Sequence, residues 1–312
     1  MDIVAPYPAN GPAVAYAPAP QLARPLHMFE PSPVLAGDID GIVRRRTIQW
    51  RGDVRRSIMD SVAEEVPVAM LYNDVAFSVM MSSPANLEDF ALGFSLTEGL
   101  IADPAQLLSV EVRPRLEGME LAMTVTSDAP VLVTTSRGRN LPGRSGCGIC
   151  GASQLEEVIR RPTPLDHPAT CSAASVRLAL ASLKQGQPMN AAAGSTHAAA
   201  WADQDGRILQ VREDVGRHNA LDKLIGSLAR RSISTRAGIL VLSSRASYEM
   251  VSKAAIAGMA IVAAVSAPTA LAIDLAKAAG ICLVGFARSE GFNVYSHPNR
   301  LLELDSIALA HA

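Results

Sequence analysis

Charge, aromatic residues and cysteine are all scarce in this chain. Only 19% of its 312 residues are charged, and 28 basic against 30 acidic side chains leave a formal net charge of −2. Without an excess of cations there is no global field to attract a polyanion, so nucleic acid is not an expected partner. Long apolar runs are missing too. Although 49% of the residues are hydrophobic, Gly, Ser or Pro interrupts each stretch before the ~20 residues that a bilayer-spanning helix needs. No membrane span is therefore expected. The opening Met1-Asp2-Ile3 carries no basic cluster, and prolines at 6, 8, 12, 18 and 20 break up any secretory core, which makes the cytoplasm the expected compartment. Four cysteines do not make a disulfide framework, but two of them lie three residues apart, the spacing of a catalytic or metal-binding thiol pair. The chain does have enough apolar side chains to bury a sizeable core in one or two domains.

Residues 1–40 read as a disordered, proline-rich tail: the first 36 hold eight of the twenty prolines and little periodic apolar pattern. A small α+β unit is expected over 41–135. Its signals are a strand over Thr47–Arg51, then Val66–Leu71 and Val75–Met81 as a hairpin about Tyr72-Asn73-Asp74. A helix capped by Asn86 follows, with Glu88 and Asp89 in its positive first turn, an apolar stripe of Leu87, Phe90, Ala91 and Phe94, and a stop at Gly99. Strands over Leu108–Arg113 and Leu121–Thr126 complete the unit.

A Gly- and Arg-rich loop from Ser136 marks the expected boundary to a second domain, 136–312. This one opens with a helix near Ala173–Lys184, a hairpin turning at Asp205-Gly206 and a helix over His218–Leu228. Strand and helix then alternate: Gly238–Leu242, Tyr248–Ala257, Ala260–Val265, Thr269–Ala279, Ile281–Phe286. That rhythm implies an α/β fold with a sandwiched, partly parallel sheet. Ligands of such sheets gather beyond the strands' carboxyl ends, facing helix amino termini. Ser243-Ser244-Arg245, Ser266-Ala267-Pro268-Thr269 and Phe286-Ala287-Arg288-Ser289 fall at those ends, so Ser243, Arg245 and Ser266 are candidate binders.

Residues 146–151 read GCGICG. Three readings of this pair compete: two small buried residues, half of a zinc site, or a reactive thiol centre. Flanking glycines argue against core packing, and no second close Cys/His pair completes a zinc site. A glycine loop ahead of a short helical pattern, with Arg139 and Arg144 nearby, favours thiolate at Cys147 or Cys150. Cys171 and Cys282 read as packing residues.

GCGICG, then REDVGRHNALDK at 212–223, SSRASYEMVSKAAIAG at 243–258 and FARSEGFNVYS at 286–296, together with DFALGFSLTEGLI at 89–101, resemble the FdhD family of formate dehydrogenase accessory proteins. The resemblance covers about residues 40–300. It implies a cytidine-deaminase-like three-layer core, a homodimer, and a sulfurtransferase that accepts persulfide sulfur from a cysteine desulfurase. The sulfur would pass to the molybdenum cofactor, bis-molybdopterin guanine dinucleotide, before insertion into formate dehydrogenase. It also implies that Cys147 carries the persulfide, with Cys150 as the second loop cysteine, and that Phe286, Ala287, Arg288, Ser289, Glu290 and Gly291 hold the cofactor.

Among the remaining polar residues, Asp214, Arg217, His218, Asn219, Asp222 and Lys223 gather where a strand enters a helix. They are either a cap with solvated charges or a functional set in which Arg217 and His218 attend the transferred sulfur or the pyrophosphate. Zinc deaminases need His-x-Glu followed by Pro-Cys-x-x-Cys. After His197 the glutamate position is Ala199, and the Cys-x-x-Cys precedes the histidine. Deaminase chemistry and a resident metal are therefore not expected, whatever the scaffold.

Overall fold

A computed structural model describes residues 39–132, 163–288 and 291–302. Cys147, Cys150, Ser289 and Glu290 lie outside these residues, as do the tail before Ile39 and the expected boundary near 136.

The chain first forms a two-stranded ribbon, β1 (Ile42–Arg51) and β2 (Val54–Ala63), turning at Gly52 with φ 56°. The expected strand over 47–51 is only the last half of β1, and β2 was not anticipated. Arginines at 44, 45, 46, 51, 55 and 56 hide the period-two alternation that announces a strand with one buried face.

Next come β3 (Val66–Tyr72), β4 (Val75–Ser82), the helix α1 (Leu87–Thr97), β5 (Leu107–Arg115) and β6 (Gly118–Val125). The four strands form a sheet in the order β4-β3-β6-β5. Its hairpin turns on Asn73 and Asp74, both at positive φ (47° and 65°), the backbone a tight two-residue hairpin requires. Alternate residues of β3, Val66, Val68, Met70 and Tyr72, are buried against Phe90 and Phe94 of α1. One expectation changes here. Asn86 does occupy the position before α1, but at φ 55° its side chain makes no capping hydrogen bond. Asp89 does stand in the first turn, as expected. It is buried and salt-bridged to Arg212 and Arg230.

The second part holds α2 (Ala173–Leu183), α3 (Pro188–Ala193), β7 (His197–Ala202), β8 (Ile208–Asp214), α4 (Arg217–Arg230) and β9 (Ile239–Leu242). It continues with α5 (Tyr248–Ile256), β10 (Ile261–Ala264), α6 (Ala270–Ala279), β11 (Cys282–Arg288) and β12 (Gly291–Ser296). These build a six-stranded sheet ordered β12-β11-β10-β9-β7-β8, parallel across β9, β10 and β11 and antiparallel elsewhere. All four residues of β9 and of β10 are buried, as expected of strands covered on both faces. Trp201, Leu240, Leu242, Val262 and Leu283 face α4, α5 and α6, whereas Ala200, Val241, Ile261 and Val284 face α2. This is the expected α/β three-layer core, with the smaller α+β unit beside it. Cys171 and Cys282 are buried in the α2 layer, and burial pushes both thiols up to about 12.

The small sheet is tied to the large one where α1 crosses α4. A Cβ on Gly93 would lie 1.7 Å from the Asp222 carbonyl oxygen, and one on Gly226 would lie 1.9 Å from that of Asp89. Only glycine permits backbones so close.

Candidate functional site

The 212–223 motif runs along the end of β8 and into α4, at the seam between the sheets, and its side chains divide into two sets. The first set is fully engaged. Arg212 donates to Asp89 Oδ2 from Nε (2.8 Å) and Nη2 (2.7 Å). Glu213 accepts from the Met189 and Asn190 amides, both at 2.8 Å, and so caps α3. Asp214, wholly buried, accepts on Oδ2 from Ser82 Oγ, the Ser83 amide, Ser83 Oγ and Lys223 Nζ. Its Oδ1 accepts from the Gly216 amide and Asn219 Nδ2. Burial holds the Lys223 amine below its ordinary range, opposed by the adjacent Asp214 carboxylate. One turn on, Asp222 accepts from Thr97 Oγ1 and Lys253 Nζ, and Lys253 also reaches Glu98 at 2.9 Å. These groups bind α4 to α1, β4 and α5.

The second set is left over. Arg217 Nε, His218 Nε2 and Ser247 Oγ are buried and have no hydrogen-bond partner. His218 Nε2 does lie 2.8 Å from Glu249 Oε2, the distance of an ion pair without the alignment of a hydrogen bond. That contact joins the first turn of α4 to the first turn of α5. Neither helix is capped by a side chain: the residue before α4 is Gly216, and Ser247, before α5, does not bond its own helix. By contrast α6 is capped, with Thr269 accepting from the Ala272 amide. Two positive helix ends and two donors without a partner, Arg217 Nε and Ser247 Oγ, therefore lie beside the His218–Glu249 pair, an arrangement that favours an anionic acceptor. His197 opens β7 opposite Asp214 and is half-buried there. Burial, and then the charges of Arg217 and His218, hold its imidazole below the usual histidine range.

The neighbouring strand ends are laced together by backbone. Ser243 exchanges hydrogen bonds with Ala198, the Thr269 amide donates to the Ala246 carbonyl, and the Phe286 amide donates to the Ser266 carbonyl. Ser243, Ser266 and Phe286 thus stand in line across the ends of β9, β10 and β11, with Arg245, Ser266, Phe286 and Arg288 exposed. Phe286 sits at φ 50°, a strained conformation for a bulky residue, within a register shift between Gly285 and Arg288. The irregularity leaves its ring 48% exposed. Of the six expected cofactor residues, Ala287 is buried in the α2 layer and Gly291 opens β12 opposite Arg288.

Sequence reasoning did not name Glu249. Its first-turn position in α5 was legible, but no local signal says that it meets His218 of another helix. Among the described residues, no group of three or more His, Cys, Asp or Glu side chains is arranged to hold a metal. Nor is any helix among them long and apolar enough to cross a membrane.

The sequence profile of the FdhD/NarQ family matches residues 63–302. This chain belongs to that family. A sulfur carrier protein FdhD from Xanthomonas campestris pv. campestris (strain B100) is 49% identical over 270 residues, covering 86% of this chain and 94% of the relative. One from Bordetella petrii is 45% identical over 274 residues, covering 88% and 98%. A crystal structure from Desulfotalea psychrophila, described as a formate dehydrogenase accessory protein, superposes with a TM-score of 0.67 at 24% identity, covering 84% of this chain and 99% of that one. At that identity the likeness speaks for the fold.

Proposed function

We propose that this chain is a sulfur carrier for formate dehydrogenase, acting in the cytoplasm as a homodimer and as a sulfurtransferase with a persulfide intermediate. In this reading the Cys147 thiolate attacks the outer sulfur of a cysteine desulfurase persulfide. The donor's sulfur–sulfur bond breaks, the donor cysteine leaves as thiolate, and Cys147 carries the sulfur. The acceptor is bis-molybdopterin guanine dinucleotide, whose phosphates carry the negative charge that Arg217 Nε and the uncapped starts of α4 and α5 lack a partner for, with His218 beside them on Glu249. Ser243, Arg245, Ser266 and the segment from Phe286 to Gly291 would hold the nucleotide ends. Binding the cofactor there replaces a diffusive encounter of sulfur and metal with a fixed one.

The observation that carries this reading is the pair of unpartnered buried donors, Arg217 Nε and Ser247 Oγ, at two uncapped helix starts, in a chain whose relatives are named sulfur carrier proteins. The test is intact-mass spectrometry after incubation with a cysteine desulfurase and cysteine, without reductant. Wild type should gain a reducible increment of one sulfur atom and Cys147→Ala should not. No gain on either protein would leave a non-catalytic module that holds the cofactor, with the cysteines as a structural clip.

A further inference from the structure

The β1–β2 ribbon stands apart from both sheets. Among the described residues its main support is α3, where Gly41, at the base of the ribbon, packs on Met189. Residues paired directly across the two strands share a face. Trp50 pairs with Arg55, Ile48 with Ser57 and Arg46 with Met59, so one face presents Trp50, Ile48 and Met59 between arginines. These three side chains are 64%, 45% and 52% exposed. An isolated two-stranded ribbon is marginally stable in water, and contiguous exposed apolar groups mark a contact surface.

Charge narrows what the contact is. The ribbon carries six arginines against two aspartates, and the rest of the chain therefore holds 22 basic against 28 acidic residues. Ribbon against ribbon would oppose like charges, whereas ribbon against the body of another copy brings opposite net charges together. The body offers an uncovered surface as well. With α1 on one face of the four-stranded sheet, Val79 and Met81 stand on the other, 49% and 48% exposed, beside Ala69 and Pro67 of β3.

We propose that the ribbon is an arm that docks on a second copy of this chain, its Trp50, Ile48 and Met59 face covering Val79 and Met81 of that copy. Two-fold symmetry makes the exchange reciprocal, so each copy lends one arm and receives one. The inference rests on the homodimer reading above and names the surface that would form it.

Light scattering coupled to gel filtration tests it on the full chain. Wild type should elute at twice the chain mass of 32.9 kDa. The double variant Trp50→Ser/Met59→Ser should elute at the single-chain mass with an unchanged circular dichroism spectrum, and Val79→Lys should do the same from the receiving side. Should the double variant fail to fold, Arg44→Glu/Arg46→Glu, altering exposed side chains only, should raise the dimer dissociation constant at least tenfold. A single-chain mass for wild type would overturn both the dimer reading and the arm. A dimeric wild type whose folded ribbon and Val79→Lys variants remain fully dimeric would overturn the arm alone.

Discussion

Asp214 and Ser247 are both buried polar residues beside the same helix starts, and they are treated in opposite ways. Asp214 accepts six hydrogen bonds from Ser82, Ser83, Gly216, Asn219 and Lys223. Ser247 has none, and neither do Arg217 Nε or His218 Nε2 close by. A buried polar group left unpaired costs about 1–3 kcal/mol, so a site that keeps Ser247 Oγ and Arg217 Nε in that state forgoes stability that its neighbour shows how to obtain. The engaged cluster holds the two sheets together; the other leaves Arg217 Nε and Ser247 Oγ without a partner, which is what the proposed function draws on.

The largest effect should come from breaking the engaged side. Lys223→Met leaves the Asp214 carboxylate buried without its cation and should lower the free energy of unfolding by about 3–5 kcal/mol, read by urea denaturation. A loss below about 1 kcal/mol would mean that the neutral donors around Asp214 suffice, and the contrast would weaken.

Ser247→Ala probes the unpaired side and should behave oppositely. Unfolding stability should stay level or rise by up to about 1 kcal/mol, since a hydroxyl without a partner is removed. Affinity for guanosine diphosphate, the probe for the nucleotide end, should fall about fivefold by calorimetry. A destabilised variant with unchanged affinity would make Ser247 an ordinary structural residue.

The smallest effect is in acid. His197 titrates below its ordinary value because burial and the adjacent charges oppose protonation. The unfolded chain then takes up the proton first, so this residue's contribution to stability is present above about pH 6.5 and declines as pH falls toward the folded-state value. A nuclear magnetic resonance titration of the His197 ring should show the lowered midpoint, and Arg217→Ala should raise it. A midpoint unmoved by Arg217→Ala would separate His197 from the cluster.

Much of the fold could be read from residue order. The alternation in β3, the Asn73-Asp74 turn and the buried runs of β9 and β10 are local patterns with local physical causes. The ribbon was only half visible because neither face meets the core, so no alternation marks it. The crossing of α1 and α4 was not visible either. Gly93 and Gly226 look like weak points in two helices until the carbonyl oxygens of Asp222 and Asp89 are seen against them.

The sequence by itself determined the family motifs, the spacing of the thiol pair and the α/β rhythm, because these follow from periodicity and from residues adjacent in the chain. Only the tertiary structure decided which polar side chains of the 212–223 motif are structural and which are unpaired. Arg212, Asp214 and Asp222 find their partners among residues 82–98 and at Lys253, more than a hundred residues back in the chain or on the next helix. Whether a buried donor is satisfied depends on atoms that folding brings beside it, and residue order does not say which those are.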